Sequence, residues 1–218
     1  MPQISTKEFE RLPLRVHDFL AGVPLHDVWA IDLPCARSGI TLDKFLRTAS
    51  AGSQVSCGGC DNDRSRKGSL LTRSPVVRTL LNVRFFAGRL FGWDREPAST
   101  AWETFTTRLT TADRSRSLAP AGTCEGLFRI VYRFENEQLL ELINRTAHAA
   151  ALSALIETAN GYRFYFGVYV QNVGRFTPVY MALVDPFRKL MVYPSLLRSV
   201  RASWNQAFGT DWQRNTFS

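Results

Sequence analysis

Cys57-Gly58-Gly59-Cys60 places two thiols three residues apart, a spacing that can chelate zinc or form a redox pair. A zinc site needs two more ligands, and only Cys35, Cys124 or one of three scattered histidines could supply them. A thioredoxin-like pair needs a strand before it and a helix after it, whereas the flanks here are Ala51-Gly52-Ser53-Gln54 and Asp61-Asn62-Asp63-Arg64. The pair is therefore expected to be incidental, and no motif asks for a metal or a cofactor. Any histidine-dependent mechanism must use His17, His26 or His148. Neither Gly-x-Ser-x-Gly nor His-Glu-x-x-His occurs, so hydrolase and metalloprotease chemistry fall away and no catalytic residue is expected. His148 could point into a cavity from its strand, but a satisfied structural role is the expectation.

Arginine is the other reactive inventory. The 218 residues hold 27 Lys plus Arg against 19 Asp plus Glu, a net charge of +8, and all but four of the cations are arginine. Arg129 and Arg133 on a strand, Arg78 and Arg89 on a helix, and Arg188, Lys189, Arg198 and Arg201 near the C-terminus are read as solvated basic faces. Arg84 stands apart. It falls on the apolar side of its helix, where a cation needs a carboxylate or a ligand's acid group as partner. Nucleic acid is not an expected partner, because such a surface interleaves exposed aromatics with its cations and the aromatics here sit at core spacing. A weak contact with anionic membrane surfaces remains a secondary expectation.

These residues are positioned by three zones. Residues 1–49 hold a strand, Val23 to Asp32, and a helix, Thr41 to Thr48. Residues 50–74 are rich in Gly, Ser and charge and are expected to form a flexible loop or insertion. Residues 75–218 form the main body. It opens with an amphipathic helix over 75–93, followed by a strand over Ala101 to Thr110 and the polar loop Ala112 to Gly122. Phe128, Ile130, Tyr132 and Phe134 alternate with Arg129 and Arg133, which predicts an antiparallel sheet with one buried and one solvated face. Leu139 to Ile143 continues the sheet. Two further strands, His148 to Thr158 and Tyr162 to Gln171, meet at Asn160-Gly161, and a two-residue turn there sets Leu155, Ser153 and Ala151 opposite Phe166, Val168 and Val170. From Asp185-Pro186 onward Leu190, Tyr193, Leu197, Val200, Trp204 and Phe208 recur at steps of three and four, a helix that Pro194 must kink or split.

The fold class is thus α+β, an antiparallel sheet wrapped on a long C-terminal helix. That arrangement resembles the helix-grip architecture of START-like and Bet v 1-like proteins, which implies an apolar cavity between sheet and helix. More closely, the segment Phe128 to Phe208 resembles the uncharacterised bacterial family known as domain of unknown function 2867. The resemblance is carried by Gly174-Arg175, the run Val179 to Val184, and Pro186-Phe187 with Leu190, Met191 and Val192. The helix Val76 to Trp93, with its Arg89-Leu90-Phe91-Gly92 ending, adds to it. Two departures are visible: Asn144-Arg145-Thr146-Ala147-His148 replaces an expected Asp-x-His turn, and Arg188 stands where a histidine commonly follows Pro-Phe.

The function expected from this combination is a binding module for a small hydrophobic molecule, with or without an acidic group. Its cavity would be lined by Arg84, Phe128, Ile130, Tyr132, Phe164, Phe166, Val168, Tyr193, Leu197 and Trp204. The alternatives are a polyketide-cyclase-like enzyme on the same fold and a peripheral binder of anionic membranes. The first twenty residues lack an apolar run of signal length and the cysteines are few, so a cytoplasmic location is expected.

Overall fold

The computed structural model describes residues 3–50, 103–125, 128–143, 148–171, 185–186 and 188–209. The Cys57/Cys60 pair, the 50–74 stretch beyond Ser50, the helix over 75–93 with Arg84, residues 144–147, Gly174-Arg175, the run Val179 to Val184 and Phe187 lie outside them.

Among the described residues the fold is α+β, with a six-stranded open antiparallel sheet. Its strands are β1 (Leu25–Pro34), β2 (Cys124–Glu125), β3 (Phe128–Arg133), β4 (Glu137–Ile143), β5 (His148–Thr158) and β6 (Gly161–Gln171), in the spatial order β1-β6-β5-β4-β3-β2. Strands β2 to β6 follow one another as a meander, and β1 returns to pair with β6. The helical segments are α1 (Thr6–Glu10), α2 (Val16–Phe19), α3 (Leu42–Ser50), α4 (Thr111–Arg116) and α5 (Tyr193–Phe208), with a 3-10 turn at Phe105–Arg108 and a π turn at Arg188–Val192. Local chemistry places several of these. Ser5 accepts from the Glu8 amide at the start of α1, and Thr41 accepts from Lys44 ahead of α3. Thr110 and Asp113 form a capping box that starts α4. That box, and the 3-10 turn before it, replace the strand expected over Ala101 to Thr110 and the loop expected after it.

The sheet is covered on both faces, so the expected solvated face is corrected. On one face α3 and α5 pack over Trp29, Ile31, Leu33, Phe164 and Phe166. On the other, Phe9, Val16, Phe19 and Leu20 from the N-terminal segment, with Phe105 and Leu109, cover Leu139, Leu152, Tyr165 and Tyr169.

A bulge in β3 redistributes the expected alternation. Ile130 stands opposite Leu140 but Tyr132 stands opposite Leu139, so Val131 and Tyr132 together face one partner residue. Ile130 therefore stays on the α5 face, while Tyr132 and Phe134 turn to the other. Tyr132 is thus removed from the expected cavity wall.

The β5–β6 hairpin also differs in register. Thr158 pairs with Gly161, so the turn is Ala159-Asn160 and Leu155, Ser153 and Ala151 stand opposite Phe164, Phe166 and Val168. A shift of two residues preserves which side chains share a face. The positive φ falls on Gly161, at 131°, and a Cβ there would sit 2.6 Å from the Leu33 carbonyl oxygen in β1.

At the C-terminus the π turn comes just ahead of Pro194, whose ring would crowd the carbonyl four residues back in a regular helix. The buried stripe is Tyr193, Leu196, Leu197, Val200, Trp204 and Phe208. Leu190, expected in that stripe, is instead 76% exposed because the π turn shifts its phase.

Candidate functional site

Of the residues expected to line a cavity, Phe128, Ile130, Phe164, Phe166, Val168, Tyr193, Leu197 and Trp204 belong to one cluster on the α5 face. Tyr132 lies on the opposite face and Arg84 outside the described residues. The middle of the α5 face is filled. Leu197 and Trp204 are 0% exposed and Phe164 and Leu155 1%, so no void large enough for a water molecule borders them.

Toward the other end of the strands the face is buried too, with a less buried edge. There a cross-strand row runs from Asp27 through Val168, Ala151 and Leu140 to Ile130, beside Val170 and Ala149. Phe128, Ala149 and Val192 are only partly buried at this end.

A polar constellation marks the rim of this end. A register shift in β1 between Leu25 and Asp27 lets the neighbours His26 and Asp27 approach the same groups, with His26 Nε2 3.7 Å from Asp27 Oδ2. His26 Nε2 is 2.8 Å from Asp185 Oδ1. Arg188 approaches Asp27 at 3.5 Å and Asp185 at 3.4 Å and donates to the Tyr193 hydroxyl, which in turn donates to Asp27 Oδ2 at 3.2 Å. Lys189 Nζ stands 3.6 Å from a carboxylate oxygen of each aspartate. Burial opposes the charge of Asp185, but the His26 hydrogen bond and the cations beside it hold its carboxyl below the usual range. Burial pushes the Tyr193 hydroxyl well above its ordinary value, so it stays protonated and serves as a donor.

His26, Asp27 and Asp185 could in geometry offer three ligand atoms to a metal ion. Arg188 and Lys189 already compensate both carboxylates. The cluster works as a charge-neutral clamp that ties the start of the C-terminal helical unit to β1.

Two buried atoms on this strand face have no hydrogen-bond partner among the described residues: Trp29 Nε1, a donor, and Asp27 Oδ1, an acceptor whose charge faces the Lys189 ammonium at 3.6 Å. They sit two residues apart on the same face of β1, about 7 Å along the strand. The Trp29 ring lies 5.5 Å from that of Tyr193. An unpartnered buried polar group costs about 1–3 kcal/mol, so a complementary acceptor and donor would be held firmly here.

The opposite face carries two further groupings. A pocket of about 590 Å³ is lined by Leu12, Leu14, Arg15, Arg116, Phe134 and Glu137, among others. Two of its polar side chains, Glu137 and Arg15, are already committed, while His17 Nε2, also in the lining, is buried with no hydrogen-bond partner among the described residues. Glu137 accepts from the Arg15 and Val16 amides at 2.8 and 2.9 Å and from the Tyr132 hydroxyl, and Arg15 forks onto Asp113 at 3.1 and 3.2 Å. Burial raises the Glu137 carboxyl, and burial with the Glu137 charge raises Tyr132. Farther along, Glu141 accepts from the Phe105 amide at 2.5 Å and lies 2.7 Å from His148, which stacks on Phe105 at 4.0 Å. His148 is thus a buried structural residue facing away from α5. His17 packs edge-on against Phe9 at 5.0 Å.

Sequence reasoning passed over Asp27 and Trp29. The available signal was a lone carboxylate inside the otherwise apolar run Val23 to Ile31, next to a histidine. Its partners lie some 160 positions away, at Asp185, Arg188, Lys189 and Tyr193, and nothing local announces them.

The family described as "Protein of unknown function (DUF2867)" matches residues 19–195, a span that includes every strand among the described residues, the clamp and the first turn of α5. No curated protein matches the chain.

Proposed function

The chain belongs to the DUF2867 family, and we propose that it is a helix-grip binding module for a small, largely hydrophobic molecule with one polar end. The apolar body lies between the sheet and the C-terminal helical unit, over Val168, Val170, Ala151 and Phe128. The polar end meets Asp27 and Trp29. A carboxylic acid suits both, because its carbonyl oxygen can accept from the indole N–H while its hydroxyl donates to the Asp27 carboxylate. The observation that carries this reading is the buried Trp29 indole N–H, a donor with no hydrogen-bond partner among the described residues, two positions along β1 from the buried Asp27 carboxylate.

Native mass spectrometry on protein purified from cells tests it. A small-molecule adduct should accompany the wild type. Trp29→Phe keeps the ring packing and removes only the donor, so it should fold normally and weaken the adduct by about 2- to 10-fold, the worth of one hydrogen bond. Wild-type protein free of any adduct, or an adduct equally retained by Trp29→Phe, would argue against the site.

A further inference from the structure

The π turn Arg188–Val192 leaves two neighbouring large apolar side chains in solvent, Leu190 at 76% and Met191 at 43% exposure. In a regular helix Leu190 would join the buried stripe, so its exposure follows from the local geometry and gives up apolar burial that the same sequence could have had. Leu190, Pro194, Arg198 and Arg201 follow one another at steps of four, four and three, along a ridge that flanks the buried Leu197–Trp204 stripe. Arg198 and Arg201 are exposed, and their printed bonds go to backbone carbonyls, those of Pro194 and Asp32. Residues 186–209 contain no aspartate or glutamate.

From this we infer that the exposed ridge of the C-terminal unit docks on the surface of a bilayer containing anionic lipids. Leu190 and Met191 enter the headgroup boundary, and Arg198 and Arg201 face the phosphates. Two apolar side chains beside cations that have no carboxylate partner among the described residues, on an acid-free ridge, are the pattern of an interfacial anchor, in which partial insertion and charge attraction add. A duplex nucleic acid would use the cations and leave Leu190 and Met191 idle. Docking does not rest on the ligand reading, although it would bring the Asp27/Trp29 rim to the acyl boundary.

Vesicle flotation of the full chain decides it, using phosphatidylcholine alone and phosphatidylcholine doped with phosphatidylglycerol. Runs at about 0.01 M and about 1 M salt set the Debye length near 30 Å and 3 Å. Wild-type protein should float with the doped vesicles at low salt, much less at high salt, and little with the neutral ones. Arg198→Gln with Arg201→Gln should weaken binding by about 25-fold, at about fivefold per cation. Leu190→Ser with Met191→Ser should weaken it by about tenfold or more. Both pairs are exposed, and unchanged melting temperatures confirm the fold. Absence of flotation at low salt, equal binding to neutral vesicles, or either double variant binding like wild type would overturn the proposal. So would duplex DNA competing fully while Leu190→Ser with Met191→Ser stays at the wild-type level.

Discussion

Trp204→Ala should cost about 3–5 kcal/mol of folding stability, as large aromatic truncations in filled cores do. Trp204 is fully buried on α5 and touches rings from three directions: Phe45 on α3 at 5.2 Å, Tyr162 on β6 at 5.3 Å and Phe208 one turn on at 4.8 Å. Its indole N–H donates to the Pro34 carbonyl at 3.2 Å, tying the helix to the end of β1. Truncation leaves both a void and an unpaired carbonyl. A domain holds about 5–15 kcal/mol in total, so the variant should be barely folded at physiological temperature. Trp204→Phe retains most of the ring and should lose about 1–2 kcal/mol. Urea unfolding followed by circular dichroism separates the two. An alanine variant within about 1.5 kcal/mol of wild type would mean that the α5 face holds more space than its burial implies.

Glu137→Ala should be comparably damaging for a different reason. Three donors from two parts of the chain converge on this carboxylate: the amides of the neighbours Arg15 and Val16, and the Tyr132 hydroxyl. Alanine strands all three in a mostly buried place, at about 1–3 kcal/mol each, so a loss of about 3 kcal/mol or more is expected. The pH dependence carries a second signature. Burial raises the Glu137 carboxyl above 4.5 in the folded state, so the fold binds its proton more tightly than the unfolded chain does. Its contribution is fully present below 4.5 and declines as pH rises through the folded-state value. Asp113 and Asp185 run the other way. Asp113 is held low chiefly by the Arg15 hydrogen bond, and Asp185 by its His26 bond and neighbouring cations against the opposing cost of burial. Their contributions are present above 3.8 and fade as pH falls. Wild type should therefore show a component of stability that decreases above about pH 4.5 and is missing from Glu137→Ala. Unfolding midpoints measured from pH 3 to 7 report it; parallel profiles for the two proteins would contradict the assignment.

What could be seen in the sequence follows the reach of each signal. The period-two runs of β3, β5 and β6 and the three-four spacing of α5 are long enough to show. They place Phe164, Phe166, Leu197 and Trp204 together on one face. The covering of the opposite face comes from α1 and α2, of five and four residues, too short for any period to register. The bulge in β3 was hidden because Phe128 to Phe134 alternates without interruption, and only pairing with Leu139 and Leu140 reveals that Tyr132 turns away. Pro194 announced a break in the last helix but not its form, and the π turn then took Leu190 out of the core. The clamp around Asp27 joins a strand near the N-terminus to a turn near the C-terminus. Only the closure of β1 against β6 brings them together.

The indole N–H resonances of the protein, compared before and after a bound small molecule is stripped on hydrophobic resin, test the binding site most directly. Trp29 is identified by the peak missing from Trp29→Phe, and Trp204, bonded to Pro34, serves as the internal reference. Removal of the ligand should shift the Trp29 peak as its donor loses a partner and leave the Trp204 peak in place. A Trp29 peak that stays put while the adduct is removed would place the ligand elsewhere and contradict the site built on Asp27 and Trp29.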